Sequence, residues 1–184
     1  MPLERWLSGL KQQVANLCPF TGARGFKSHP LRFFMKLFLV RYGEHTDGHL
    51  NEQGRQTMAL ASERLKSFVV GQTVCLACAN VPRAVESAEI ISENLKVFPV
   101  QKFKDLYAAQ ENGVDINLEA AFTIISSLFK ENSLVIAVVS REYIEALPSY
   151  ILNSLGVKET IETHLDRGEA LMIDYEKKEM NYLR

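Results

Sequence analysis

Two arginines stand where an apolar run gives way to polar residues. The first run ends in Leu39, Val40, Arg41, Tyr42, Gly43 and Glu44, and the second passes through Cys78, Ala79 and Asn80 into Val81, Pro82, Arg83 and Ala84. A guanidinium presents a planar fork of donors that fits phosphate bidentately, and a glycine beside it lets backbone amides approach an anion. If the runs are neighbouring parallel strands, both arginines lie at carboxyl ends, where open α/β sheets bind ligands. A phosphate pocket follows. The bland alternative is two solvated or ion-paired surface arginines.

The elements that would position these residues are legible from periodicity. From residue 33 onward, apolar runs alternate with helical stripes, the pattern of an α/β domain with a largely parallel sheet. Phe34 to Val40 reads as a buried strand, and a helix follows with Asn51 as N-cap and Met58, Ala61, Leu65 and Phe68 on its inner stripe. Thr73 to Ala79 reads as the second strand. Pro82 suits the first turn of a helix whose Ala84, Ala88, Ile91 and Leu95 share a face. Val100 to Phe103 is a weaker strand, and Leu118, Phe122, Ile125 and Phe129 form another inward stripe. Leu134 to Val139 is wholly apolar, as a strand buried on both faces should be. Glu142 to Leu155 reads as a helix closed by Gly156, with Pro148 expected to bend it; Glu169 to Tyr175 and Glu179 to Leu183 read as a closing hairpin.

Residues 1–32 have a different character. Leu3, Trp6, Leu7, Leu10, Val14 and Leu17 fall on one helical stripe, and Pro19, Gly22, Gly25 and Pro30 punctuate a basic linker, so the compact domain is expected over 33–184. Packing on its own domain or a second subunit is the first expectation for this amphipathic helix. A membrane surface or an organellar transit role are the alternatives, and a partner would be met through residues 3–17.

Composition narrows the function classes. The chain has 184 residues, 47% hydrophobic and 23% charged, enough for a core that needs no metal or disulfide to support it. The net charge of −1 supplies no field to draw nucleic acid, and DNA binding is not expected. Cys18, Cys75 and Cys78 are an odd number with two in an apolar run, which favours reduced thiols and a cytoplasmic location. No stretch approaches the roughly 20 apolar residues of a membrane span, and the N-terminus lacks the apolar centre of a secretory signal.

Other motifs carry little. His45 and His49 flank Asp47 in "EHTDGH", but a polar, glycine-containing loop explains them, and no metal is assigned. Cys75 and Cys78 form a lone C-x-x-C read as core packing. "CPFTGAR" spaces Cys18 and Arg24 as a phosphate cradle would, yet no apolar strand precedes it and chance suffices.

"LFLVRYGE", "HLNEQGRQ" opening a helix, "PRAVESAEII" opening the next and "VIAVVSREYI" opening a third together resemble the histidine phosphatase superfamily, from about residue 35 to 184. The resemblance implies a three-layer α/β/α, phosphoglycerate-mutase-like domain with a mostly parallel sheet, here preceded by the N-terminal helix. Its members carry Arg-His-Gly after the first strand, an arginine opening the second helix, a late histidine, and an acid that protonates the leaving group. The histidine attacks phosphorus and the arginines hold the phosphoryl oxygens. Arg41, Gly43 and Arg83 match the phosphate-holding positions, whereas Tyr42 stands at the nucleophile's position and Arg141 at the second histidine's. The acid's position falls near Ala108 in "DLYAAQENG", with Gln110, Glu111 and Asp105 close by.

A phenol with an ordinary pKa near 10 is mostly protonated at pH 7 and a weak substitute for imidazole. The expectation is therefore a pseudophosphatase that holds a phosphorylated small molecule or phosphoprotein through Arg41, Gly43, Arg83 and Arg141, with Tyr42, Glu44, His45 and Glu111 as further pocket candidates. No cofactor is implied. Clustered arginines repel, so a bound anion or a nearby carboxylate, Glu44 being the candidate, should offset them. A phosphatase using His45, Tyr42 or a water activated by Glu44, and an interaction scaffold docking through the N-terminal helix, are the alternatives.

Overall fold

In a computed structural model of the chain, residues 35–108, 116–157 and 161–183 are described. The expected N-terminal helix and linker, the "CPFTGAR" segment, Gln110 and Glu111 lie outside them.

Apolar runs become strands β1 (Lys36–Arg41), β4 (Val74–Ala79), β5 (Val100–Phe103) and β6 (Leu134–Val139). A closing hairpin forms β7 (Ala170–Asp174) and β8 (Glu179–Leu183). These six make one sheet in the order β5-β4-β6-β1-β7-β8, the first four parallel and the last two antiparallel. Every residue of β6 is buried, because this central strand is covered on both faces. The coverings are two helix pairs, α1 (Glu52–Val69) with α2 (Pro82–Leu95), and α3 (Leu118–Leu128) with α4 (Arg141–Ser154). The domain is thus the expected α/β fold with a mostly parallel sheet. Among the described residues no helix is long and apolar enough to cross a membrane.

Local chemistry explains the boundaries. Asn51 caps α1 by accepting the Gly54 N–H at 2.8 Å, and Met58, Ala61 and Leu65 bury the helix's inner face while Phe68 meets Phe38 at 5.0 Å between ring centroids. Pro82 fills the first turn of α2. Helix α4 continues past the buried Pro148 and ends before Gly156, whose positive φ lets its N–H reach the Asn153 carbonyl at 3.0 Å.

Some elements depart from the sequence reading. β1 extends to Arg41, because the Arg41 N–H bonds the Glu169 carbonyl at 3.1 Å and keeps the residue in the ladder. β4 begins at Val74 rather than Thr73, since Thr73 is engaged with Ser133 instead. α4 opens at Arg141, one residue before the expected Glu142. The loop expected over "EHTDGH" is a small hairpin, β2 (His45–Thr46) with β3 (His49–Leu50), turned by Asp47 and Gly48 at φ 53° and 85°. Two consecutive positive φ values are the requirement of a type I′ turn, which Asp-Gly satisfies.

Candidate functional site

Three strand ends meet. Arg41 of β1 pairs in register with Val139 of β6, and Val138 with Cys78 of β4. The chain leaves these strands through Arg41–Glu44, Ser140–Arg141 and Asn80–Arg83 respectively.

Arg41 is held by the segment that precedes β7. Its Nη1 donates to the Leu165 carbonyl at 2.7 Å, and its own carbonyl accepts the Gly168 N–H at 2.9 Å. Gly168 sits at φ +77°, and a Cβ there would lie 2.1 Å from Thr57 Cγ2, so only glycine fits the approach. The Arg41 Nε is buried without a hydrogen-bond partner.

Arg83 is clamped between two phenols. Its guanidinium carbon lies 4.9 Å from the Tyr42 ring centroid and 5.3 Å from that of Tyr107, and its Nη2 donates to Tyr107 Oη at 3.0 Å. Burial opposes its charge, but the two phenols beside it outweigh that effect and raise its pKa. The Arg83 Nε is likewise buried and unpartnered. Tyr42 thus lies buried under a cation, with its ring 5.6 Å from that of His45.

The backbone at Gly43 approaches α1 closely. A Cβ on Gly43 would lie 2.6 Å from the Gly54 carbonyl oxygen, and one on Gly54 would lie 2.0 Å from that of Glu44. The Gly43 N–H reaches Ser87 Oγ at 3.2 Å, and the Ser87 hydroxyl in turn donates to the Arg83 carbonyl at 2.7 Å, which ties the first site segment to the second.

Glu44 pairs with Arg167. His45 beside them has its pKa lowered, first by burial and then by the cations Arg83 and Arg167; Glu44 opposes the shift and Arg41 adds to it. Four charged residues therefore act on one imidazole. On the next strand of the hairpin, His49 Nδ1 lies 2.6 Å from Glu86 Oε1, and Glu86 also accepts the Leu50 N–H at 2.8 Å. Burial pushes the Glu86 pKa up, but its bonds to His49 and Leu50 and the nearby Arg55 bring it below the ordinary value.

The structure brings Arg41, Tyr42, Gly43, Glu44, His45 and Arg83 together. Arg141 opens α4 at the end of β6, but its side chain lies along its own helix to Glu145, with Nε 2.6 Å from Oε1, and is 55% exposed. Ser140, one residue earlier, is buried with an unpartnered Oγ. Ala108 is buried, and Asp105 sits in the short 3₁₀ turn after β5. Cys75 and Cys78 are buried in β4 as free thiols, and burial pushes the Cys78 pKa to about 11. Among the described residues no group of three or more His, Cys, Asp or Glu is arranged to hold a metal ion.

The sequence reading missed Arg167, Tyr107, Ser87 and Ser140. Tyr107 lies in the segment searched only for an acid, and Arg167 precedes β7 and does not end an apolar run, so the signal that marked Arg41 was absent there. For Arg141 the Arg-x-x-x-Glu spacing to Glu145 was visible as an i,i+4 helix pair. Chemically, the arrangement offers cations and buried, unsatisfied hydrogen-bonding groups at one end of the sheet, with a tyrosine rather than a basic nucleophile below them.

Residues 39–109 match the family model of the histidine phosphatase superfamily (branch 1). No curated protein matches the chain. Among solved structures, the protein histidine phosphatase SixA complexed with tungstate is similar at 14% identity and TM-score 0.63, over 82% of this chain and 95% of that one. A phosphoserine phosphatase mutant from Entamoeba histolytica in complex with phosphoserine is similar at 12% identity and TM-score 0.58, over 82% and 95%. A phosphoglycerate mutase from Plasmodium falciparum is similar at 16% identity and TM-score 0.53, over 82% and 89%. The fold is that of the histidine phosphatases, and the resemblance carried by "LFLVRYGE" and "PRAVESAEII" is borne out.

Proposed function

On the premise of a histidine phosphatase fold, we propose that the protein is a pseudophosphatase that holds a phosphate-bearing ligand, a small molecule or a phosphoprotein, in its arginine pocket without turning it over, in the cytoplasm. The observation that carries this reading is the set of buried atoms without partners at three adjoining strand ends: Nε of Arg41, Nε of Arg83 and Oγ of Ser140. Buried polar groups are nearly always satisfied, so unsatisfied ones gathered at one edge support the reading of an anion site there, reached by rearrangement of the side chains that now enclose them. An oxyanion supplies acceptors in every direction. Tungstate and phosphoserine in two of the similar structures support the same chemistry.

Tyr42 at the nucleophile's position argues against turnover. It is buried, and its ring is used as the floor beneath Arg83. His45 favours a second reading, an active phosphatase with a substitute nucleophile, because its lowered pKa leaves a neutral imidazole near the arginines at pH 7. One assay separates the two. Phosphate release from a panel of phosphomonoesters is measured for wild type, Arg41→Ala and His45→Ala prepared identically, alongside calorimetric titration with inorganic phosphate. Phosphate binding by the wild type that weakens in Arg41→Ala, with no release from any of the three, supports the pseudophosphatase; release abolished by both substitutions overturns it. No phosphate binding by the wild type would remove the pocket reading altogether.

A further inference from the structure

The Glu44–Arg167 pair lies beside His45, close to Arg41 and Arg83, and nothing in the family resemblance gives Arg167 a role. Its placement is tightly specified. Residues on both sides of Arg167 bind Arg41: the Leu165 carbonyl takes Arg41 Nη1, the Gly168 N–H bonds the Arg41 carbonyl, and the Glu169 carbonyl takes the Arg41 N–H. Glu44, three residues after Arg41, is fixed just as firmly, since its carbonyl accepts the Asn51 N–H at 3.1 Å and packs on Gly54 where no Cβ would fit. Both backbones are pinned, and only the side chains are free to change partners. They are also the accessible members of the cluster, 35% exposed for Glu44 and 31% for Arg167, whereas the unpartnered nitrogens of Arg41 and Arg83 are enclosed.

Charge gives the pair a direction. Arg41, Arg83, Arg167 and Glu44 all act electrostatically on His45, three cations against a single carboxylate. The carboxylate therefore acts as an anion supplied by the protein itself, holding the outermost arginine while the two inner ones keep unused donors. A phosphoryl dianion carries more charge and more acceptor oxygens than a carboxylate, so it competes well for the same guanidinium.

We propose that Arg167 is a third anion-binding arginine of the pocket, kept in reserve by Glu44, and that ligand binding transfers the Arg167 guanidinium from Glu44 to the oxyanion. The proposal rests on the phosphate-pocket reading and deepens it. Glu44 is then an internal competitor that sets the affinity and favours dianionic groups over singly charged ones. Arg141, turned away onto Glu145, is not the third cation; Arg167 takes that part from a different segment of the chain.

The test is a double-substitution cycle read by calorimetric titration with inorganic phosphate at pH 8, where the dianion dominates, on the full chain. Arg167→Ala should weaken phosphate about tenfold, the scale of one lost charge-assisted bond. Glu44→Gln should tighten it by a similar factor, and that gain should vanish when Arg167→Ala is also present. Arg167→Gln serves as a second variant, with melting curves to confirm folding. An Arg167→Ala protein that binds phosphate as the wild type does overturns the proposal. So does a Glu44→Gln gain of equal size in both backgrounds, which would reflect removal of a negative charge and no exchange of partners. In either case, loss of binding in Arg83→Ala would show that the pocket itself stands. A wild type that binds no phosphate would overturn both.

Discussion

The two ends of the parallel sheet treat their polar groups in opposite ways. At the amino end of β4 and β6, Thr73 and Ser133 bond one another through backbone and side chain, with the Thr73 Oγ1 accepting the Ser133 N–H at 2.8 Å and the Ser133 Oγ donating to Gln72 Oε1 at 2.7 Å. At the carboxyl end, Arg41, Arg83 and Ser140 each keep one buried polar atom without a partner. The other unpartnered buried atom among the described residues, Tyr175 Oη, stands alone, its ring packed edge-on against Phe129 at 5.1 Å. A saturated network fixes two strands at one end. An unsaturated one at the other end leaves buried polar atoms that the described residues do not satisfy.

That contrast can be broken in order of size. Arg83→Met should weaken inorganic phosphate about a hundredfold by calorimetry, since it removes a cation and its forked donors together; an unchanged affinity would make the carboxyl end no more receptive than the amino end. Ser133→Ala should do the reverse. It should cost about 1 kcal/mol in urea unfolding, because it removes side-chain hydrogen bonds whose other partners, Gln72 and Thr73, are exposed and can turn to water, and leave phosphate affinity as it was. Ser140→Ala should weaken phosphate about fivefold with no loss of stability, its hydroxyl having no partner in the protein to lose. Should Ser140→Ala destabilise as Ser133→Ala does, the two ends would be alike.

The smallest effect concerns His45. Its imidazole should titrate below the ordinary 6.5 in an NMR pH series, and Arg83→Met should move it upward. The unfolded chain takes up that proton at the ordinary value and the folded one only at lower pH. Stability therefore falls as pH drops from 6.5 through the folded value and is flat above and below that window.

The parallel strands were readable because Leu134 to Val139 and Leu37 to Val40 have the uninterrupted apolar character of doubly covered strands, and Asn51 and Pro82 mark helix starts by their own chemistry. The β2–β3 hairpin was overlooked although Asp47-Gly48 carries its turn signal, because a two-residue strand has no periodicity to detect. In the site, Arg41, Gly43 and Arg83 were found from strand ends, which are local. The Glu44–Arg167 pair was not, since no spacing rule connects positions 123 residues apart. The direction of Arg141 turned on a competition between a pocket and its own helix, and a glutamate four residues on is always in reach.

The two phenols around Arg83 bear on whether the site can be converted by a single change. Placing a histidine at residue 42 would supply an imidazole but remove one wall of the stack that orients Arg83, and with it the geometry on which any phosphoryl group would rest. Gain of a nucleophile and loss of a scaffold are coupled in one position. The tyrosine is in this sense entrenched: Tyr42→His exchanges one wall of the Arg83 stack for an imidazole.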